Sequence, residues 1–307
     1  MKKVMAILLA LVLVLTACGG NQNNNDGNET GGDNTGDNAG DNAGDNAEGT
    51  SGEIRVVSRE DGSGTRSAFV EIVGVVDEDD NDMTTPDAAI QGSTDEVLTY
   101  VAGDPNAIGY ISLGSLNDNV KALKIEGVEA SAENIINGSY KIARPFNIAY
   151  KEAELSEIAK DFIDYIFSAD GQALIEPEGY IAVDDQAAAY EAKEGLSGDI
   201  VIGGSTSVTP LMEVIAEKYM EINPDVKITV QGTGSSAGMT GAMDGTLDIG
   251  MASRELKDEE LAELDNKAIA KDGIAIVVAP ENTFEDMTID NLREVYLGNI
   301  STWEEVK

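Results

Sequence analysis

Ile200-Val201-Ile202-Gly203-Gly204-Ser205-Thr206-Ser207-Val208-Thr209-Pro210 holds the pattern that decides the fold. A short apolar run of strand length is followed by a turn of Gly and hydroxyl residues. Pro210 then stands where a first helical turn accepts proline. Beyond it Leu211, Val214, Ile215, Ala216, Tyr219 and Met220 recur at helical spacing, which predicts an amphipathic helix. The same texture repeats on either side. Ile54-Arg55-Val56-Val57, Ala107-Ile108-Gly109-Tyr110-Ile111, Val226-Lys227-Ile228-Thr229-Val230 and Ile274-Ala275-Ile276-Val277-Val278 read as buried strands. Ile158, Phe162, Ile163, Ile166 and Phe167 make a second helical stripe. Strands alternating with helices at this spacing indicate an α/β fold.

Composition narrows the chemistry. The 307 residues contain 57 Asp+Glu against 20 Lys+Arg, a net charge of −37, with one Cys and no His. A basic surface to neutralise phosphates along a nucleic acid is missing, so no nucleic-acid partner is expected. Without His there is no imidazole base for a Ser or Cys nucleophile and no His-ligated zinc. One Cys allows no intramolecular disulfide. A hydrolase would need a Lys base or a metal, and no Lys stands near the Ser-rich turns. The sequence therefore calls for no catalytic residue, no metal and no cofactor, and the protein is expected not to be an enzyme. Aromatics at 5% argue against an aromatic-lined cleft, while 42% apolar residues suffice for an ordinary core.

The N-terminal region is built differently. Lys2 and Lys3 precede an apolar run over residues 4–15, too short to span a bilayer comfortably. Leu15-Thr16-Ala17-Cys18-Gly19 then resembles a bacterial lipobox, which makes residues 1–17 a signal peptide and Cys18 the lipidated first residue. A plain secretory signal with an incidental Cys is the alternative. Residues 19–53 are almost all Asn, Asp, Gly, Thr, Ala and Glu, with no Lys, Arg or large apolar side chain, and Gly-Asp-Asn-Thr/Ala recurs four times between Gly32 and Ala47. Such a segment cannot offset its ordering entropy by burial. Residues 18–53 thus read as a lipidated, disordered acidic tether.

Three turns rich in Gly and hydroxyls precede helix-like segments: Asp61-Gly62-Ser63-Gly64-Thr65, Gly203-Gly204-Ser205-Thr206-Ser207 and Gly232-Thr233-Gly234-Ser235-Ser236-Ala237-Gly238. Helix N-termini leave backbone N–H groups unpaired and carry partial positive charge, which suits an anion. Each turn by itself is also an ordinary helix cap. Three of them, with Arg59 before one and Arg254 after another strand, point to one oxyanion site. No Gly-Lys-Ser/Thr follows, so a nucleotide is not expected.

Five segments resemble one family: Gly204-Ser205-Thr206-Ser207-Val208, Gly234-Ser235-Ser236-Ala237-Gly238, Asp248-Ile249-Gly250-Met251-Ala252-Ser253-Arg254-Glu255, Ser301-Thr302-Trp303-Glu304 and Ser58-Arg59-Glu60-Asp61-Gly62-Ser63-Gly64-Thr65-Arg66. The family is the PstS-type phosphate-binding lipoproteins of bacterial ABC phosphate importers. The resemblance implies a two-lobe periplasmic-binding-protein (type II) fold with the ligand cleft between lobes. Motif order departs from the family, in which the segment like Arg59-Thr65 follows the one like Ser301-Glu304. The chain therefore reads as circularly permuted; a truncated tandem repeat is the other reading.

Carried over residue by residue, the resemblance implies that Thr206 and Ser207 donate to phosphate by hydroxyl and backbone N–H. Ser235 donates from the second turn, and Ser63, Gly64 and Thr65 from the third. Arg59 binds the anion and Asp61 holds Arg59. Ser253 and Arg254 stand near the place where some members have an Asp that accepts the proton of hydrogen phosphate. That acceptor falls here to Glu255, Glu60 or another group, and Arg254 can equally be an ordinary ion pair. Chain crossings map to residues 143–147 and 272–274. One lobe is then 54–145 plus 274–307 and the other 146–273, with 190–198 a surface loop where the family's ends would be. The implied function is extracytoplasmic capture of inorganic phosphate and delivery to an ABC permease and ATPase. The implied protein is a monomer held to the outer face of the cytoplasmic membrane by lipid alone. Sulfate, molybdate or another tetrahedral oxyanion, or a non-transport surface sensor or adhesin, are the alternative readings.

Overall fold

Strands and capped helices alternate along residues 50–306, the part of the chain that the computed structural model describes. The signal peptide, Cys18 and nearly all of the tether lie outside the described residues. The chain runs through β1 (Arg55–Arg59), α1 (Gly64–Val73), β2 (Ala89–Gln91), α2 (Thr94–Gly103), β3 (Ala107–Ser112), β4 (Lys121–Ala122), β5 (Lys124–Ile125), α3 (Ala132–Ile136) and β6 (Ala143–Tyr150). It continues through α4 (Glu157–Ile166), α5 (Ala169–Gln172), β7 (Ile181–Ala182), β8 (Gly198–Gly204), α6 (Thr209–Ile222), β9 (Val226–Gly232), α7 (Ser235–Asp244) and β10 (Ile249–Ala252). The last elements are α8 (Asp258–Leu261), β11 (Asp265–Val278), β12 (Asp286–Met287) and α9 (Ile289–Tyr296).

Local chemistry accounts for the helix ends. Ser63, Ser93 and Ser156 accept the N–H of Arg66, Glu96 and Ala159 and so cap α1, α2 and α4. Gly74 and Gly245 end α1 and α7 in the left-handed conformation that favours glycine. Ile158, Phe162, Ile163 and Ile166 are buried on α4, and Leu211, Met212, Ile215, Ala216 and Tyr219 on α6.

Ten strands form one continuous sheet in the order β2-β1-β3-β11-β6-β10-β8-β9, with β4 and β7 also pairing to β11, while β5 and β12 form a separate pair. Parallel pairing holds within β2-β1-β3 and within β10-β8-β9, which requires helical crossovers between successive strands. The turns after β1, β2, β8 and β9 therefore all lie at carboxyl ends of parallel strands, where α/β sheets place their ligands.

Two sets of cores divide the sheet into lobes. Phe146, Ile148, Phe162, Ile200, Ile202, Leu211, Tyr219, Ile249 and Ile269 belong to one cluster, and Met239, Ala252 and Leu264 to a smaller one. Val56, Phe69, Tyr110, Ile142, Ile274, Ile276, Val295 and Trp303 form another, with Val57, Val97, Ile111 and Val277 in a fourth. The change of core falls between Ile142 and Phe146 on β6 and between Ala270 and Ile274 on β11. Ile181 departs from the division expected from sequence. It lies within 146–273 yet packs into the core of the other lobe, because β7 pairs with β11 close to the crossing, Lys271 opposite Ile181.

Both crossings run side by side. β6 and β11 are antiparallel partners from Tyr150 opposite Asp265 to Ala143 opposite Gly273. Arg144 and Asp272 face each other there, with Arg144 Nε and Nη2 donating to Asp272 Oδ2 at 3.1 and 2.9 Å. Ser112 Oγ and the Leu113 N–H donate to Oδ1 at 2.9 and 3.2 Å. Arg144 Nη1 is buried without a hydrogen-bond partner, and its guanidinium lies 5.4 Å from the centre of the Phe146 ring.

The ends of the described chain meet on the lobe that both of them build. Ile54 N–H donates to Ser301 O at 2.8 Å, and Trp303 N–H to Gly52 O at 2.9 Å. The Trp303 side chain is fully buried and its indole N–H donates to Asn106 O at 3.2 Å. Residues 190–198 lie largely at the surface, pinned where Tyr190 Oη donates to Asp161 Oδ2 at 2.6 Å.

Asp272→Ala should lower the free energy of unfolding by about 3–5 kcal/mol, since it leaves the Arg144 charge buried without its partner. Urea unfolding measures this, and a loss below about 1 kcal/mol would show that the pair does not hold the crossing.

Candidate functional site

The turn after β8 is shaped by contacts that only glycine allows. Gly204 has φ +141°, and a Cβ there would lie 2.2 Å from Met251 O. Its carbonyl accepts the N–H groups of Thr233 and Gly234 at 2.7 and 2.8 Å, which ties this turn to the one after β9. Ser205 Oγ donates to Ser253 Oγ at 2.8 Å and accepts the Ser207 N–H at 3.2 Å. Ser235 opens α7 and its Oγ accepts the Ser253 N–H at 3.2 Å. Ser207, Ser235 and Ser253 are all buried. Ser205, Ser207, Ser235 and Ser253 thus form one connected polar wall, with Thr206 in the same turn.

The facing wall comes from β1 and α1. Arg59 is 2% exposed. Its backbone N–H donates to Tyr110 Oη at 3.2 Å, and that hydroxyl also lies 2.8 Å from Ser58 Oγ. Burial pushes the Tyr110 phenol up to about 12, so it stays neutral beside the guanidinium. Ser63 is buried and spends its Oγ as the α1 cap, while Gly64 and Thr65 form the first turn.

The two walls touch. Arg59 Nη2 donates to Thr206 Oγ1 at 3.0 Å, and Thr65 Oγ1 lies 3.0 Å from Ser207 Oγ. Ser236 N–H donates to Gly62 O at 3.1 Å. Gly64 packs so closely that an added Cβ would stand 2.4 Å from Ser235 Oγ and 2.8 Å from Ser253 Oγ. Arg59, Gly64 and Thr65 from one lobe therefore meet Thr206, Ser207, Ser235 and Ser253 from the other.

Two residues expected at this seam are engaged elsewhere. Asp61 does not hold Arg59: its side chain is fully exposed and pairs with Arg66 Nη1 at 3.0 Å. Glu60 takes that part instead, with Oε2 and Oε1 each 2.8 Å from Arg59 Nε and Nη2. Arg254 is committed to Glu260, whose two oxygens lie 2.7 and 2.8 Å from Nη1 and Nη2. Burial would raise the Glu260 carboxyl, but the Arg254 guanidinium and the Lys257 N–H outweigh it and hold it below its ordinary value. The pair is buried and lies within one lobe, and Arg254 Nε is left without a hydrogen-bond partner. Glu255 is exposed and makes its contact to Arg254 through its backbone carbonyl, at 2.9 Å.

Three contributors were not singled out from sequence: Tyr110, Glu60 as the Arg59 partner, and Thr94. Thr94 is the first residue of α2 and is buried, with its Oγ1 3.4 Å from Arg59 Nη1 and 3.2 Å from Ser207 Oγ. Its turn, Gly92-Ser93-Thr94, repeats the Gly204-Ser205-Thr206 pattern, so the signal was present. The N-termini of α1, α2, α6 and α7 thereby approach one place. The arrangement suits an anion held by neutral donors and one guanidinium.

An α/β sheet folded into two lobes that meet over such a seam is a binding-protein architecture. Residues 29–170 and 189–307 match the model of the PBP superfamily domain, and the chain belongs to that superfamily. Phosphate-binding protein PstS 2 of Streptococcus agalactiae is 48% identical over 262 residues, 84% of this chain and 89% of the relative. A crystal structure of a phosphate-binding protein of a phosphate ABC transporter from Streptococcus pneumoniae TIGR4 has 46% identity. It superposes with a TM-score of 0.68 over 83% of this chain and all of that one. Phosphate-binding protein PstS of Bacillus subtilis is 34% identical over 121 residues, 38% of this chain and 40% of the relative. Within the superfamily, the chain is a member of the PstS family.

Gly64→Ala should hold the lobes apart without unfolding either. Small-angle scattering should show a larger radius of gyration with an unchanged circular-dichroism spectrum. An unchanged radius would mean that Ser235 and Ser253 rotate away from the added methyl.

Proposed function

We propose that this chain binds inorganic phosphate between its lobes outside the cell and delivers it to an ABC importer. The observation that carries the reading is the seam itself. One buried guanidinium, Arg59, is set among hydroxyls supplied by both lobes, Thr65 from one and Thr206 and Ser207 from the other. A multivalent oxyanion gains from such a cage because every oxygen finds a donor while no free counter-charge is buried with it. Donors divided between lobes also make closure depend on the ligand, since the open state lacks half of them. The names of the PstS relatives and of the pneumococcal structure support phosphate as the anion.

The ligands in this reading are Arg59, Gly64, Thr65, Thr206, Ser207, Ser235 and Ser253, with Ser63 supporting the α1 turn and Glu60 orienting Arg59. Release to a permease and ATPase follows when the lobes part. Cys18 carries the lipid anchor, and the acidic segment after it tethers the monomer to the outer face of the cytoplasmic membrane. No helix of the described residues is long and apolar enough to cross a membrane. We also infer that the chain is a circular permutant of the wider family. Contact between the two ends supports this, as does the contrast between a 262-residue match to one relative and a 121-residue match to another.

Arg59→Ala should weaken phosphate binding in isothermal titration by about 2–5 kcal/mol, because it leaves the anion without its buried partner. Wild-type affinity should change only mildly with added salt, since the donors act at short range. A steep loss with salt would place the anion elsewhere. Cys18→Ala should release the protein from membranes into the medium, and full retention would count against the anchor.

A further inference from the structure

We infer that Thr94 is a further anion-binding residue of the cleft, its hydroxyl donating to the bound anion from the N-terminus of α2; this rests on the phosphate reading above. Three observations lead there. First, the helix does not need this hydroxyl. Ser93 already caps α2 by accepting the Glu96 N–H at 3.2 Å, so the Thr94 side chain is free of the usual duty of a residue at this place.

Second, the Thr94 hydroxyl is 4% exposed at the residue level and turned into the seam. It lies 3.4 Å from Arg59 Nη1, while Thr206 Oγ1 lies 3.0 Å from Arg59 Nη2. Two Gly-Ser-Thr turns, one from each lobe, thus put a threonine on either end of the same guanidinium. Thr206 belongs to the anion site in the reading above, and Thr94 holds the corresponding place on the opposite wall.

Third, the protons do not balance without another acceptor. Thr65, Ser207 and Thr94 form a chain of hydroxyls with contacts of 3.0 and 3.2 Å. Three hydroxyls carry three protons, and two contacts between them consume two. Arg59 has no lone pair to offer and donates toward Thr94. One O–H is therefore left to point out of the chain, and an anion beside Arg59 is the acceptor that would take it. Bound anion would draw the Thr94 proton, and Thr65 and Ser207 turn theirs toward the same anion as their mutual contacts open.

Titration calorimetry with inorganic phosphate on wild type, Thr94→Val and Thr94→Ser tests the inference. Thr94→Val should weaken binding about tenfold or more, the range for losing a hydrogen bond to a charged group. Thr94→Ser should stay within about threefold of wild type, because it keeps the hydroxyl. The melting temperature of Thr94→Val without phosphate should match wild type, while its phosphate-induced rise should shrink. Thr94→Ala carries the same expectation should the valine variant fail to fold. Undiminished binding by the hydroxyl-free variants, or a serine variant as weak as the valine one, would overturn the inference alone. A wild-type protein that binds no phosphate would overturn the phosphate reading and this inference with it.

Discussion

The antiparallel ladder between β6 and β11 is the constraint from which the cleft follows. Each strand runs from one hydrophobic core to the other, so among the described residues the chain passes between the lobes along two hydrogen-bonded strands that lie side by side. A paired ribbon of this kind twists and bends more readily than it stretches. The ladder sets the turns at the carboxyl ends of the two lobes facing each other, where they touch. The Arg144–Asp272 pair sits at the crossing without solvent exposure, tied to Ser112 of the neighbouring strand. Such a pair contributes little net stability compared with apolar side chains of the same volume. It does fix the register of the two strands, and a one-residue slip would turn every side chain on the ribbon to the wrong face.

Charge at the cleft is handled locally. A chain with a net charge of −37 offers no long-range attraction to an anion. The seam offers instead oriented dipoles and one guanidinium whose own charge is balanced by Glu60 at 2.8 Å. Arg59 is held from behind as well, since the Tyr110 hydroxyl takes its backbone N–H and the Tyr110 ring stacks on Phe69 at 4.1 Å. Pre-set donors lose little freedom when a ligand arrives, so the interaction energy goes to closure rather than to ordering.

Much of this was legible in the sequence, and the misses have identifiable causes. The turns at Gly62, Gly204 and Gly234 stood out because each lies among Gly and hydroxyl residues beside a helix. The Gly92-Ser93-Thr94 turn has the same composition, but β2 is three residues long and provides no apolar run to flag it. β11 was legible only over its last five residues, since Asp265-Asn266-Lys267 begin it with polar side chains that a paired strand at a lobe surface tolerates. Which of Glu60 and Asp61 turns toward Arg59 depends on a bend at Gly62 with φ +87°, and composition carries no trace of it. Arg254 finds its partner six residues away, on the short helix α8, and a local motif gives no sign of that pairing.

The contact between residues 52–54 and 301–303 on one lobe sets the order in which the two lobes can be assembled. All strands of the β10-β8-β9 side are complete once residue 252 has emerged, and both long partner strands once residue 278 has. Their helices connect neighbouring strands, so their contacts are short in sequence and quick to form. The opposite lobe has to wait. β1 is made long before the segment it packs beside, the backbone of Ser301 and the Trp303 ring that fills its core. A chain made from its N-terminal side onward would thus carry one finished lobe and one open core until Trp303 is out. During that interval the uncovered edge of β3, and the apolar side chains that later close over Trp303, are what a folding assistant would have to shield.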